Sequence, residues 1–325
     1  MKQYNFSKDF AVGADISWYP QMLESGFVFR NQQGQQQDLL LTLKDYGMDT
    51  IRLRTWVNPS TNIYSGHCSA RETLDFALKC SKMDYRIMLN FHYSDSWSDP
   101  KQQRIPAAWE KSDFDGLVQH LYDYTHETID LFKTNGLELE WVQIGNETNP
   151  GMLLPEGSTG NFDKLTKLYN SGYDAVKAVS SNTKVMIHLA EFNVTDFITD
   201  YFENLEQRGC RYDIMGFSFY PFHLPQLSYE ACMEGLARSM AEIPRRFGKD
   251  FMIVETGGVD EQEEETFQLL TDIIEEMHNQ PKCKGILLWE PEGAKAWSGY
   301  PLSAWRSDGC PGKALDALCS IHKTY

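Results

Sequence analysis

The sequence predicts a single (β/α)8 barrel, an α/β fold of the TIM type, and three observations lead there. Eight short apolar runs recur along the chain, each followed by a longer stretch with apolar residues at three- and four-residue spacing. The runs are near-continuous in Val, Ile, Leu, Met and Phe, which is how strands buried on both faces read. No Pro/Gly/Ser-rich linker divides the 325 residues, and barrels of about 250 residues upward are common. Residues 1–325 are therefore read as one domain.

The elements follow in order. Run 10–17 carries Gly13-Ala14-Asp15-Ile16-Ser17 and precedes a helical pattern at 38–46. Run 50–57 holds Arg52 and Arg54, two apart and so on one face of a strand, and leads to a helix at 71–83. Run 86–93 ends near His92 and is followed by the longest helix, 113–133. Run 141–147 closes on Gly145-Asn146-Glu147 before helix 161–179, and run 184–190 precedes helix 195–207. Run 214–220 ends at Tyr220 before helix Tyr229–Phe247. Run 251–256 ends Val254-Glu255-Thr256; the next helix, 261–277, starts in an acidic cluster that its dipole favours. Run 285–291 ends Trp289-Glu290-Pro291, and Lys313–Ser320 supplies the last helix. Eight such pairs are the count of a closed barrel.

Composition excludes several function classes. The net charge of −16 disfavours nucleic acid and anionic membranes as partners, since both attract positive potential. No run approaches the ~18 apolar residues of a membrane span. The seven cysteines form no C-x-x-C pair, which argues against a disulfide scaffold and a structural zinc. Only Cys310 and Cys319 lie close enough in sequence to invite a bridge. The first residues lack an apolar signal core, so the chain is expected to be cytoplasmic or to have lost a signal. Aromatic residues make up 13%, a supply that ring-lined carbohydrate clefts need.

In a barrel the chemistry sits at the carboxyl ends of the strands. Glu147 and Glu255 end the fourth and seventh runs, 108 positions apart, where only barrel closure could let them meet. Retaining glycoside hydrolysis needs such a pair roughly 5–5.5 Å apart, one a proton donor and acceptor, the other a nucleophile. Glu147 is assigned as acid/base, its carboxyl raised by burial and by Glu255, and Glu255 as nucleophile. Arg54 is expected to keep Glu255 ionised, while one of the two arginines pairs with Asp15. Asn146 is placed for the sugar 2-hydroxyl, Tyr220 for the nucleophile, and His92 for Glu147 or the substrate. His92 with Asp95 and Asp99 raises a metal site, but the first strand offers no His-x-His partner, so neither metal nor cofactor is expected. Trp56, Trp97 and Trp289 are the candidate sugar platforms. Trp141 reads as structural, Trp18 and Trp109 as either, and Trp297 and Trp305 as one wall of a cleft.

In order along the chain stand Gly-Ala-Asp-Ile-Ser (13–17), Ile-Arg-Leu-Arg-Thr-Trp-Val-Asn-Pro (51–59) and Phe-His-Tyr-Ser-Asp-Ser-Trp-Ser-Asp-Pro (91–100). Gln-Ile-Gly-Asn-Glu-Thr-Asn-Pro-Gly-Met (143–152), Phe-Tyr-Pro-Phe (219–222) and Trp-Glu-Pro (289–291) follow. The series resembles glycoside hydrolase family 53, the arabinogalactan endo-β-1,4-galactanases. That resemblance implies a retaining endo-hydrolase, the same roles for Glu147 and Glu255, a galactan-type polysaccharide or oligosaccharide as partner, and a secreted or periplasmic location. A monomer is expected from the acidic surface and neutral polymer. Two segments depart from the family: Gly257-Gly258 stand where a tryptophan and a longer, calcium-holding loop are common, and Glu292-Gly293 replace Ala-Trp. Sugar and chain-length preference are open there; another β-linked hemicellulose and a non-catalytic carbohydrate-binding barrel are the alternatives.

Overall fold

The structure is a computed structural model that describes residues 2–324. Eight strands form the barrel: β1 (Ala11–Asp15), β2 (Thr50–Thr55), β3 (Arg86–Phe91), β4 (Trp141–Ile144), β5 (Lys184–Leu189), β6 (Ile214–Phe219), β7 (Asp250–Thr256) and β8 (Cys283–Trp289). They close in chain order, β8 returning to β1, which is the predicted (β/α)8 barrel. Every residue of β1, β2 and β6 is buried, Arg52 and Arg54 of β2 included, as strands covered on both faces require. Register places Trp289 beside Asp15 and Asp15 beside Arg52, so three polar or aromatic side chains share one level of the rim.

The intervening helices are α1 (Leu39–Asp45), α2 (Ala70–Ser81), α3 (Phe114–Thr134), α4 (Phe162–Val179), α5 (Thr195–Glu206), α6 (Tyr229–Phe247) and α7 (Glu263–His278). Short polar side chains start most of them. Asp38, Asp113, Asn161 and Ser228 each accept a first-turn backbone N–H, and Ser69 with Glu72 forms a capping box at α2. In α3 the buried Leu117, Leu121, Thr125, Ile129 and Phe132 recur at helical spacing, giving one face to the barrel side.

The last element differs from expectation: Lys313–Ser320 is a 3-10 helix. Its buried pairs Ala314/Ala317 and Leu315/Leu318 repeat every three residues, the 3-10 period. Features unread in the sequence include a helix at Tyr19–Glu24, a short one at Lys295–Ser298, a small antiparallel pair, Gly151–Met152 with Gly157–Ser158, and a terminal parallel pair, Tyr4–Ser7 with Ile321–Thr324. All seven cysteines are free thiols, so Cys310 and Cys319 are not bridged. No helix among the described residues is long and apolar enough to cross a membrane.

By mutual contacts the residues group into two compact units. The first holds the chain up to Arg52, Glu191–Thr195 and everything from Ser218 onward. Its core includes Phe10, Leu43, Ile243, Phe251, Ile273 and Leu287, all fully buried. The second holds Leu53–Ala190 and Asp196–Phe217, around Leu74, Leu89, Leu121, Phe132, Val142 and Leu168. Just beyond the carboxyl ends of β3, β4, β5 and β8, Tyr93, Glu147, Glu191 and Glu290 adopt left-handed φ of 49°, 46°, 62° and 41°. Such a backbone costs a non-glycine residue roughly 1–2 kcal/mol.

Candidate active site

In the first unit the site is built on a shared cation. Arg52, fully buried on β2, reaches Asp15 Oδ2 at 2.8 Å and Glu255 Oε1 at 2.7 Å. A buried carboxylate needs charge-assisted partners, and the planar guanidinium can serve two at once. Asp15 Oδ1 also accepts from Ser17 N at 3.1 Å and Ser17 Oγ at 2.6 Å, so this carboxylate is tied into the scaffold as a support. Glu255 ends β7 and is 6% exposed, which aims it from the core at the rim. Arg54 is the expected partner of Glu255 from the sequence, with one of the two arginines for Asp15; in the structure Arg52 reaches both acids.

The same unit carries an aromatic cluster. Both carboxylate oxygens of the buried Glu290 accept from Trp18 N, at 3.1 and 3.2 Å. The Trp18 ring stands edge-on to Trp289 (5.2 Å between centroids) and to Trp297 (5.8 Å), and Trp289 is edge-on to Tyr300 (5.3 Å). Trp18 is buried while Trp289 and Trp297 are half-buried, so Trp18 braces the platform and Trp289 presents it. Trp305 is buried, its Nε1 donating to Gly309 O, and it walls nothing. Tyr220 follows β6, half-buried, with its ring against His223.

In the second unit the turn after β4 presents Glu147, half-buried, on its left-handed backbone. The turn is pinned from several sides. Gln103 Nε2 donates to Asn146 O (2.7 Å) and Glu147 O (3.2 Å). His188 Nδ1 stands 3.1 Å from Asn146 Oδ1 and 3.4 Å from Glu147 N. Asn90 Nδ2 donates to Asn146 Oδ1 at 2.9 Å, and Asn146 Nδ2 donates to Ser98 O at 2.8 Å. Behind the turn, Tyr201 donates to Thr148 O, and the Tyr169 hydroxyl lies 2.5 Å from Thr148 Oγ1. Burial pushes both phenols above their ordinary range, so they stay neutral donors.

The second unit also stacks a cation among rings. The Arg54 guanidinium lies 4.4 Å from the Trp97 ring centroid and 5.2 Å from that of Trp56. Trp56 is fully buried and edge-on to Trp97 and His92, so it supports Trp97 and is itself no sugar platform. Trp97 is half-buried and can be one. His92 Nδ1 accepts from Ser98 N at 3.0 Å, which leaves the proton of the neutral ring on Nε2. Asp95 accepts from Asn58 N and Ala107 N, and Asp99 from Lys101 N and Gln102 N. These carboxylates tie loops. Among the described residues no group of three or more His, Cys, Asp or Glu could hold a metal ion. Trp141 is buried under Arg86, and Trp109 is buried and stacked on His120.

Sequence reasoning missed Gln103 and His188 as holders of the Asn146-Glu147 turn. His188 was findable, since it lies near the end of β5. Gln103 was not, since it stands in an irregular loop 44 residues from Glu147.

Residues 11–321 match the family described as glycosyl hydrolase family 53. The chain belongs to that family. Among its relatives is a probable arabinogalactan endo-beta-1,4-galactanase A of Aspergillus terreus, 34% identical over 257 residues, covering 75% of this chain and 70% of the relative. The endo-beta-1,4-galactanase of Bacillus subtilis is 30% identical over 259 residues, covering 78% and 58%. Among solved structures, a family 53 catalytic domain of Ignisphaera aggregans superposes with a TM-score of 0.88 at 25% identity, over 98% of both chains. A fungal beta-1,4-galactanase gives 0.85 at 26%, over 95% and 98%. As a member of family 53, the protein is a glycoside hydrolase.

Proposed function

We propose that this family 53 enzyme is an endo-β-1,4-galactanase that cleaves (arabino)galactan with retention, Glu147 acting as acid/base and Glu255 as nucleophile. The observation that carries the assignment is the contrast between the two glutamates. Glu255 is held at the end of β7 by a buried guanidinium, which suits a carboxylate that must stay charged to attack. Glu147 is presented half-buried on a strained turn that is pinned through its backbone, which suits a group that gives and retakes a proton.

In this reading Glu147 protonates the glycosidic oxygen while Glu255 attacks the anomeric carbon; Glu147 then deprotonates the water that releases the sugar. Asn146 is proposed for the 2-hydroxyl, His92 for Glu147 or the substrate, Tyr220 for the nucleophile, and Trp97 and Trp289 as sugar platforms. Asp15, Arg54, Trp56 and Asp95 support these groups. We read residues 1–325 as one catalytic domain, a monomer that works without a cofactor on polymer outside the cytoplasm.

The test is reducing-end release from β-1,4-galactan beside mannan, xylan and cellulose, with Glu147→Gln and Glu255→Gln as controls. Activity on galactan, lowered by a factor on the order of 10²–10⁴ in Glu147→Gln and abolished in Glu255→Gln, supports the reading. Retention is checked by NMR of the first-released anomer; α-anomer first would overturn it. Turnover of a different β-linked polymer would support the second reading, the same mechanism on another hemicellulose. The short connection after β7 favours that reading: α7 begins at Glu263, and Gly258 packs so closely on it that a side chain there would meet Thr266 Oγ1 at 2.3 Å.

A further inference from the structure

We propose that Glu292 is a positioning residue, present as a neutral carboxylic acid that donates its proton to the Glu290 carboxylate and thereby fixes the Trp18–Trp289 platform. Both glutamates are completely buried on the turn after β8. Neither oxygen of Glu292 receives a hydrogen bond from another residue's N–H or O–H among the described residues. What stands within hydrogen-bond reach is the Glu290 carboxyl. Two carboxyls in contact without water cannot both be charged, and a shared proton converts their repulsion into a hydrogen bond.

Charge balance decides which acid keeps the proton. Glu290 uses both oxygens to accept from Trp18 N, a task for a carboxylate. The other charged group facing Glu292 is Asp15 at the end of β1, and its cation, Arg52, is already shared with Glu255. Burial first, then the Glu290 charge beside it, holds the Glu292 carboxyl well above the usual carboxylate range. The backbone of the turn is held by Glu290 N donating to Asp15 O and by Ala304 N and Ser303 Oγ donating to Pro291 O, which leaves the Glu292 side chain as the part without a protein donor among the described residues. Glu290 sits at a left-handed φ of 41°, and Gly293 lies so close under Trp18 that a side chain there would meet the ring at 2.8 Å. A donated proton from Glu292 therefore locks the carboxylate that locks Trp18, which braces Trp289 and Trp297. The platform's role in binding sugar rests on the function proposed above.

The sign of the pH effect follows. An acid whose folded-state proton is held more tightly must take up about one proton on folding, so wild-type stability falls as pH rises from the usual carboxylate range toward the folded value. Glu292→Gln keeps a neutral donor to Glu290 and removes that dependence. Three measurements on the full chain test the proposal: infrared spectra at neutral pH, thermal unfolding from about pH 5 to about pH 9, and KM against kcat on galactan. Expected are a protonated-acid carbonyl band lost in Glu292→Gln, a flatter stability curve for that variant, and a several-fold rise in KM in Glu292→Ala that Glu292→Gln rescues. Parallel stability curves, or no loss of protonated-acid band intensity in Glu292→Gln relative to wild type, would overturn it. If no variant or wild type cuts galactan, the proposed function fails, while the infrared and unfolding results still decide the state of Glu292.

Discussion

Replacing Arg52 by Met would remove the buried guanidinium that Asp15 and Glu255 share at 2.8 and 2.7 Å while keeping most of the side-chain volume. Breaking a buried ion pair by deleting one partner costs about 3–5 kcal/mol, because the remaining charge stays out of water. Here two carboxylates lose their shared cation, so the loss belongs at the upper end. Unfolding entropy of about 2.1 cal/mol/K per residue over 325 residues gives about 0.7 kcal/mol per degree. Dividing, the melting temperature should fall by roughly 4–7 °C. Arg52→Lys restores the charge without the fork and should recover part of the loss, since one ammonium cannot hold both acids in the same plane. Calorimetry of the three proteins at pH 7, with galactan turnover beside it, measures both effects. Turnover should drop on the order of 10²-fold in Arg52→Met, as Glu255 loses its aim. A melting temperature within about 1 °C of wild type, or Lys performing no better than Met, would refute the shared-cation argument.

Gln103→Ala should lower stability by about 1–3 kcal/mol by leaving two turn carbonyls without their donor, and should reduce kcat more than KM, because the Glu147 turn loses its clamp. Gly293→Ala should raise KM and cost about 1–3 kcal/mol, since the new methyl would press on Trp18 at 2.8 Å; an unchanged KM would separate Trp18 from binding. Arg306 holds the Glu263 carboxyl below the usual carboxylate range at the start of α7. That stabilisation is present above the ordinary value of 4.5 and is lost as pH falls below it. The melting deficit of Glu263→Gln, worth no more than ~1 kcal/mol at a partly exposed site, should therefore close in acid; a deficit constant with pH would remove the ion pair as its cause.

The barrel was legible because its strands are buried on both faces, and such strands cannot be written without long apolar runs. The glutamates were legible because the strand ends fix where Glu147 and Glu255 emerge. What stayed hidden depends on depth and on neighbours. The alternation of Arg52 and Arg54 says that both point one way, yet not that Arg52 lies level with Asp15, which is a matter of register between strands. Trp56 carries the same strand-end signature as Trp289, but it is sealed behind Trp97. Asp95 and Asp99 look like ligands in one dimension and prove to be turn-makers once their backbone donors are seen. Gln103 acts across a loop whose path no periodicity encodes.

The left-handed residues on the rim have a consequence for anyone who sets out to strengthen this enzyme. Glycine at Tyr93, Glu147, Glu191 or Glu290 would relax the backbone, and any screen scored on heat resistance would be drawn to those four places. At Glu147 the relaxed chain would be inert, and at Glu290 it would release Trp18. On this rim, the places where the backbone is least comfortable are therefore also places where a stabilisation campaign must not go.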